Sequence, residues 1–75
     1  MPRLPVLSSK ELIKIFEKTE YFVVRQKGSH IRMHHETRDS ITIPNHKIIG
    51  RGLLKKILRD SKISVDDLIK LIKNK

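Results

Sequence analysis

The stretch Val23-Val24-Arg25-Gln26-Lys27-Gly28-Ser29-His30-Ile31-Arg32-Met33 decides how this chain folds. It reads as two short strands joined by a Gly-Ser turn. A type II′ hairpin needs φ > 0 at its first central position, which glycine adopts without steric cost. With Gly28 and Ser29 in the loop, Lys27 faces His30, Arg25 faces Arg32 and Val23 faces His34. The other face pairs Gln26 with Ile31, Val24 with Met33 and Phe22 with His35. Because side chains alternate along a strand, one face is expected to be mostly apolar, and the other to carry cations beside an imidazole.

On the N-terminal side, residues 1 to 7 hold two prolines and no periodicity, which predicts an extended lead-in. Ser8 then stands as a helix N-cap, with Glu11 completing a capping box and Leu7 and Leu12 at the staple positions. Leu12, Ile13 and Phe16 share one helical face with Ile15 at its margin, so a first helix is expected over about 9–19. β-Branched and aromatic residues then open a first strand over about 21–27, followed by a second over 30–35. Glu36-Thr37-Arg38-Asp39 is turn-prone, and Ser40 to Ile43 alternates as a short third strand that Pro44 ends, fitting a sheet edge.

After a loop over 45–52, Leu53, Leu54, Ile57 and Leu58 mark one face of a second helix over about 51–61. Ser64 followed by Asp67 is a weaker cap for a third helix over about 65–73. The apolar residues there are Leu68, Ile69, Leu71 and Ile72, with lysines in the last turns to suit the helix dipole. The order α-β-β-β-α-α predicts an α+β fold, a three-stranded antiparallel sheet with helices packed on one face.

Length and charge bound what such a fold can do. The 75 residues make one domain, 1–75, with a single small core. Cysteine is absent, which excludes disulfides and thiolate metal sites. No apolar run reaches the roughly 18 residues of a membrane span, and the start lacks the apolar stretch of a signal peptide, so a cytoplasmic protein is expected. The net charge of +9, from 17 basic and 8 acidic residues, favours a polyanionic partner over a merely solvated surface.

Few chemistries survive inspection. There is no G-x-S-x-G elbow, P-loop or dinucleotide fingerprint, and the carboxylates are dispersed, so a cofactor or a two-metal centre is not expected. Of the four histidines, His34 and His35 are sequential on a strand and point to opposite faces, a poor arrangement for zinc. His30 is the best acid–base candidate. It lies beside a glycine turn on the face carrying Arg25, Lys27 and Arg32, cations that can bind a phosphate and stabilise added charge. The plain alternative is an exposed strand histidine without a role.

The remaining candidates are weaker. His34 faces only Val23 and reads as a bystander, while His35, near Phe22 at the inner edge of the sheet, reads as structural. His46 could cap the second helix or reach a substrate. Arg51, Lys55, Lys56, Arg59 and Lys62 form a cationic helix face suited to solvent, phosphate or an acidic partner, and Gly50-Arg51-Gly52 opens that helix as an anion site.

Taken together, Arg25-Gln26-Lys27-Gly28-Ser29-His30, Ile43-Pro44-Asn45-His46, and Gly52-Leu53-Leu54-Lys55-Lys56-Ile57-Leu58 with Ile63-Ser64 after it resemble the HicA-type toxins. These are small mRNA-cleaving proteins (mRNA interferases) of bacterial and archaeal toxin–antitoxin pairs. The resemblance covers about residues 8–72. It implies a fold like the double-stranded-RNA-binding domain (dsRBD), a catalytic histidine at the Gly-x-His position, here His30, and a HicB-type antitoxin that covers the active site. Two positions depart from the family pattern, Glu20 where a glycine commonly precedes the strand aromatic, and Lys62 where a glycine frequently precedes Ile-Ser. Both concern turn geometry.

The leading expectation is a metal-independent endoribonuclease that holds RNA through Arg25, Lys27, Gly28, Ser29 and Arg32 and cleaves it with His30. Lys27 or His46 could be the second acid–base group. A non-catalytic RNA-binding module of the same fold, with His30 contacting the 2′-OH or a phosphate, is the alternative. A third reading is a basic protein whose only ligand is an acidic partner protein.

Overall fold

A computed structural model describes residues 4–73, which run α1 (Ser9–Glu17), β1 (Phe22–Lys27), β2 (His30–His34), β3 (Ile41–Pro44), α2 (Arg51–Ser61) and α3 (Val65–Lys73). The described residues thus form an α+β fold of dsRBD-like layout, with three helices on one face of a three-stranded antiparallel sheet of order β1-β2-β3. The expected elements are present, with β1 starting one residue later than the sequence predicts, β3 shifted one residue on to include Pro44, β2 ending one earlier and α1 two earlier.

Helix ends follow their local chemistry. The Ser8 hydroxyl accepts from the Glu11 amide at 3.2 Å and the Glu11 carboxylate accepts from the Ser8 amide at 3.1 Å, closing the capping box. Leu7 and Leu12, at the staple positions, are both buried. Ser64 caps α3 through the Asp67 amide at 3.1 Å.

At the other ends of α1 and α2 the chain turns through left-handed residues, Glu20 at φ 71° and Lys62 at φ 63°. The next amide reaches back in each case, Tyr21 to the Phe16 carbonyl at 3.2 Å and Ile63 to the Leu58 carbonyl at 3.1 Å. Both are Schellman closures with a buried apolar residue just beyond. They are also the two positions where the sequence lacks an expected glycine. A Cβ in this conformation costs about 1–2 kcal/mol, partly offset by glycine's freedom in the unfolded chain. Glu20→Gly and Lys62→Gly should therefore each stabilise the fold by about 1 kcal/mol, read as a rise of roughly 4–8 °C in the thermal midpoint.

The core is built from Leu12, Ile15 and Phe16 of α1, Ile31 and Met33 of β2, Ile41 and Ile43 of β3, Leu54, Ile57 and Leu58 of α2, and Leu68 of α3. Ile15, not Ile13, is the buried α1 isoleucine, and in α3 only Leu68 is buried. Ile49, in the expected loop, is buried too, because it forms a bridge with Leu7 through its amide to the Leu7 carbonyl at 2.7 Å.

The β1–β2 register corrects the sequence reading at one end. Lys27↔His30, Arg25↔Arg32 and Gln26↔Ile31 stand as expected, and Gly28 takes φ 59° in the turn. Beyond them the register slips at a bulge between Val23 and Arg25, so that Val23 pairs with Met33 and Phe22 with His34. The expected pairs Val23–His34, Val24–Met33 and Phe22–His35 are not formed. The helices make their main sheet contacts with β3, and every residue of β1 is exposed.

The bulge has a cause in the core. Tyr21 is buried, its ring edge-on to Phe16 at 5.3 Å and tilted against His35 at 4.9 Å, and its hydroxyl donates to the Asp39 carbonyl at 2.8 Å. With Tyr21 pointing inward and the Gly28 turn set at the other end, the strand holds one residue too many. Val24 is the extra residue that the bulge absorbs.

Two groups tie stability to pH. The Ser8 backbone, then its hydroxyl, hold the Glu11 carboxyl below its usual 4.5, so this contribution is complete above that value and lost as pH falls. Burial pushes the Tyr21 phenol above its usual 10.0 against the opposing Arg38 charge; the unfolded chain then ionises first and stability falls as pH rises past 10.0. Thermal midpoints should fall as pH drops below 4.5 and as it rises past 10.0.

Candidate functional site

The outer face of the sheet, away from the helices, carries an open depression of about 500 Å³ lined by Val24, Arg25, Lys27, His30, Arg32, His34 and Thr42. Alternation from the Gly28-Ser29 turn places Lys27, His30, Arg25 and Arg32 on this one side. His30 opens the central strand with Lys27 as neighbour on β1 and Pro44 on β3. Asn45 ties the β3 exit to the turn by donating its amide to the Ser29 carbonyl at 2.6 Å. Arg32 is aimed by donating Nη1 to the Thr42 hydroxyl at 2.8 Å. Among the described residues, nothing hydrogen-bonds the His30 ring, and the residue is exposed.

Four sequence-named residues, Arg25, Lys27, His30 and Arg32, thus meet in one depression, while Gly28 and Ser29 shape the turn beside it. Val24, Thr42 and His34 line it as well. Thr42 was legible as the outward residue of a three-residue alternation, Ile41-Thr42-Ile43. Val24 was not, since the bulge alone turns it outward. His34 lines the depression with Phe22 as its pairing partner in place of the expected Val23, their rings 6.4 Å apart.

His35 is a structural tie. Its Nδ1 accepts from the Thr37 and Arg38 amides at 3.1 and 3.2 Å, which leaves the proton on Nε2 to donate to the Thr19 carbonyl at 3.0 Å. The ring packs on Tyr21, not on Phe22 as the expected register implied. His46 is exposed and lines a separate depression of about 450 Å³ with Ser8, Ser9, Lys10, Asn45 and Lys47. It does not cap α2, whose N-cap Gly50 has no side-chain bond. Lys27 is therefore the candidate partner that shares a depression with His30. The cations Arg51, Lys55, Lys56, Arg59 and Lys62 are exposed on the helical layer, apart from the sheet depression.

Among the described residues, no three His, Cys, Asp or Glu side chains gather as a metal site requires, and no helix is long and apolar enough to cross a membrane. Fold and site together define a small basic α+β protein of the dsRBD-like kind, with a histidine set among cations on its open sheet face. The family model described as the HicA toxin of bacterial toxin–antitoxin systems matches residues 9–63, and the chain belongs to that family. It is accordingly a toxin of the toxin–antitoxin kind, with an antitoxin as partner. The match spans α1 to α2, and α3 lies beyond it, packed on α1. Neither the curated proteins nor the solved structures compared with the chain contain a match.

Proposed function

We propose that this toxin is a metal-independent endoribonuclease, an mRNA interferase, that binds single-stranded RNA on the open sheet face and cleaves it with His30. The observation that carries the reading is the exposed His30 imidazole beside Lys27, in one depression with Arg25 and Arg32. A histidine exchanges protons near neutral pH and suits either half of the reaction. As general base, His30 takes the proton of a ribose 2′-OH as that oxygen attacks the adjacent phosphorus. The 5′-oxygen then leaves with a proton from the Lys27 ammonium or from water, giving a 2′,3′-cyclic phosphate and a 5′-hydroxyl end. With the roles reversed, His30 protonates the leaving oxygen.

Arg25 and Arg32 hold the phosphate and stabilise the charge it gains in the pentavalent state, where fixed cations act most strongly. The Gly28-Ser29 turn keeps bulk away from the approach to His30. Such a substrate places the protein in the cytoplasm. The antitoxin, of the HicB type, lays acidic or apolar surface over the His30 face and excludes RNA by mass and by charge.

The test is incubation of the purified protein with end-labelled single-stranded RNA in EDTA. Cleavage yielding 5′-hydroxyl fragments is the expected result. Retarded but intact RNA would make the protein a binding module instead, and absence of any salt-sensitive RNA affinity would leave an acidic protein as its ligand.

A further inference from the structure

Phe22 is 49 % exposed, a large aromatic left at the surface of a small protein. The bulge decides where it points. By simple alternation Phe22 falls on the inner face, whereas the observed pairing with His34 puts it on the outer face with Arg25, Lys27, His30 and Arg32. Its ring lies edge-on to His34 at 6.4 Å, and His34 itself lines the cationic depression. Val24, 45 % exposed, continues the apolar surface toward Arg25. The open face is therefore graded, aromatic at the Phe22–His34 end and cationic at the His30–Lys27 end.

We infer that Phe22 and His34 form a stacking platform for a nucleobase of the RNA strand whose phosphate lies at His30, an inference that rests on the proposed function. Unstacked bases are held on exposed aromatic and imidazole planes, and phosphates by cations, and this face presents both in series. His34 lies four residues along β2 from His30, a Cα separation of roughly 13 Å. The base that stacks therefore belongs to a nucleotide flanking the scissile one. The platform positions substrate and takes no part in the chemistry.

The chain contains no tryptophan, so Phe22→Trp introduces a single indole reporter. A short 2′-O-methyl oligonucleotide, which lacks the nucleophilic hydroxyl, should quench that indole on binding. An abasic phosphodiester of equal length should not. Phe22→Ala should bind the same oligonucleotide roughly 5- to 150-fold more weakly, the fold-change of 1–3 kcal/mol per stacked base. Its thermal midpoint should stay near wild type, because the ring is exposed.

Equal quenching by the abasic strand, or undiminished affinity in Phe22→Ala, overturns the platform while wild-type binding and cleavage leave the nuclease reading intact. Wild-type protein that binds no oligonucleotide and leaves unmodified single-stranded RNA neither bound nor cleaved overturns both. Phe22→Ala that keeps RNA affinity and loses only antitoxin binding assigns the patch to a protein contact and likewise overturns the platform.

Discussion

His30→Ala should cleave RNA roughly 10²- to 10⁴-fold more slowly than wild type, the contribution of one positioned acid–base group. His30 is exposed, and among the described residues no hydrogen bond holds its ring, so stability should change by no more than about 0.5 kcal/mol. Single-turnover cleavage beside a thermal melt separates lost chemistry from lost fold. RNA affinity should survive, because Arg25, Lys27 and Arg32 remain in the depression. On induced expression the wild type should arrest growth and the variant should not. A variant that cleaves and arrests growth like wild type would remove His30 from the mechanism, and the search would move to Lys27 and His34.

Tyr21→Ala, just ahead of β1, should be strongly destabilising. The ring is buried between Phe16 and His35, and removing it empties an aromatic-sized space at a cost of about 3–5 kcal/mol. Total stability for a chain of this length is about 4–11 kcal/mol, so the loss takes from about a quarter to all of it. Tyr21→Phe keeps the ring and loses only the bond to the Asp39 carbonyl, a cost of about 0.5–1.5 kcal/mol. Urea unfolding of the pair checks both values. Equal, small losses would show that Tyr21 does not anchor the start of β1.

Much of this architecture is legible in the sequence where neighbours in the chain decide it. Ser8 and Glu11 announce the start of α1 three residues apart, Gly28 supplies the left-handed turn, and four apolar positions mark α2 at its observed bounds. The cationic cluster is legible for the same reason. Lys27, His30, Arg25 and Arg32 lie within three residues of the turn, and counting outward from it places them on one face before any error can accumulate. Even the two unusual turns are visible, as Glu20 and Lys62 where glycines belong. What the sequence does not reveal there is that the left-handed conformation is kept without the glycine.

Tertiary structure decides what depends on distant anchors. Ile49 is buried because Leu7, far off in the chain, pairs with it, and His46 lies beside the start of α1 and away from α2. The bulge is the largest such effect. A strand alternates with period two, so one inserted residue exchanges the faces of everything beyond it. The insertion at Val24 follows from Tyr21 being held in the core against Phe16, His35 and Asp39, three contacts that no local pattern contains. The sequence by itself determined the hairpin, its turn and the cations next to it. Only the packed core decided that Phe22 shares their face, because the register of a strand is set by both of its ends and one of them is fixed by residues elsewhere in the chain.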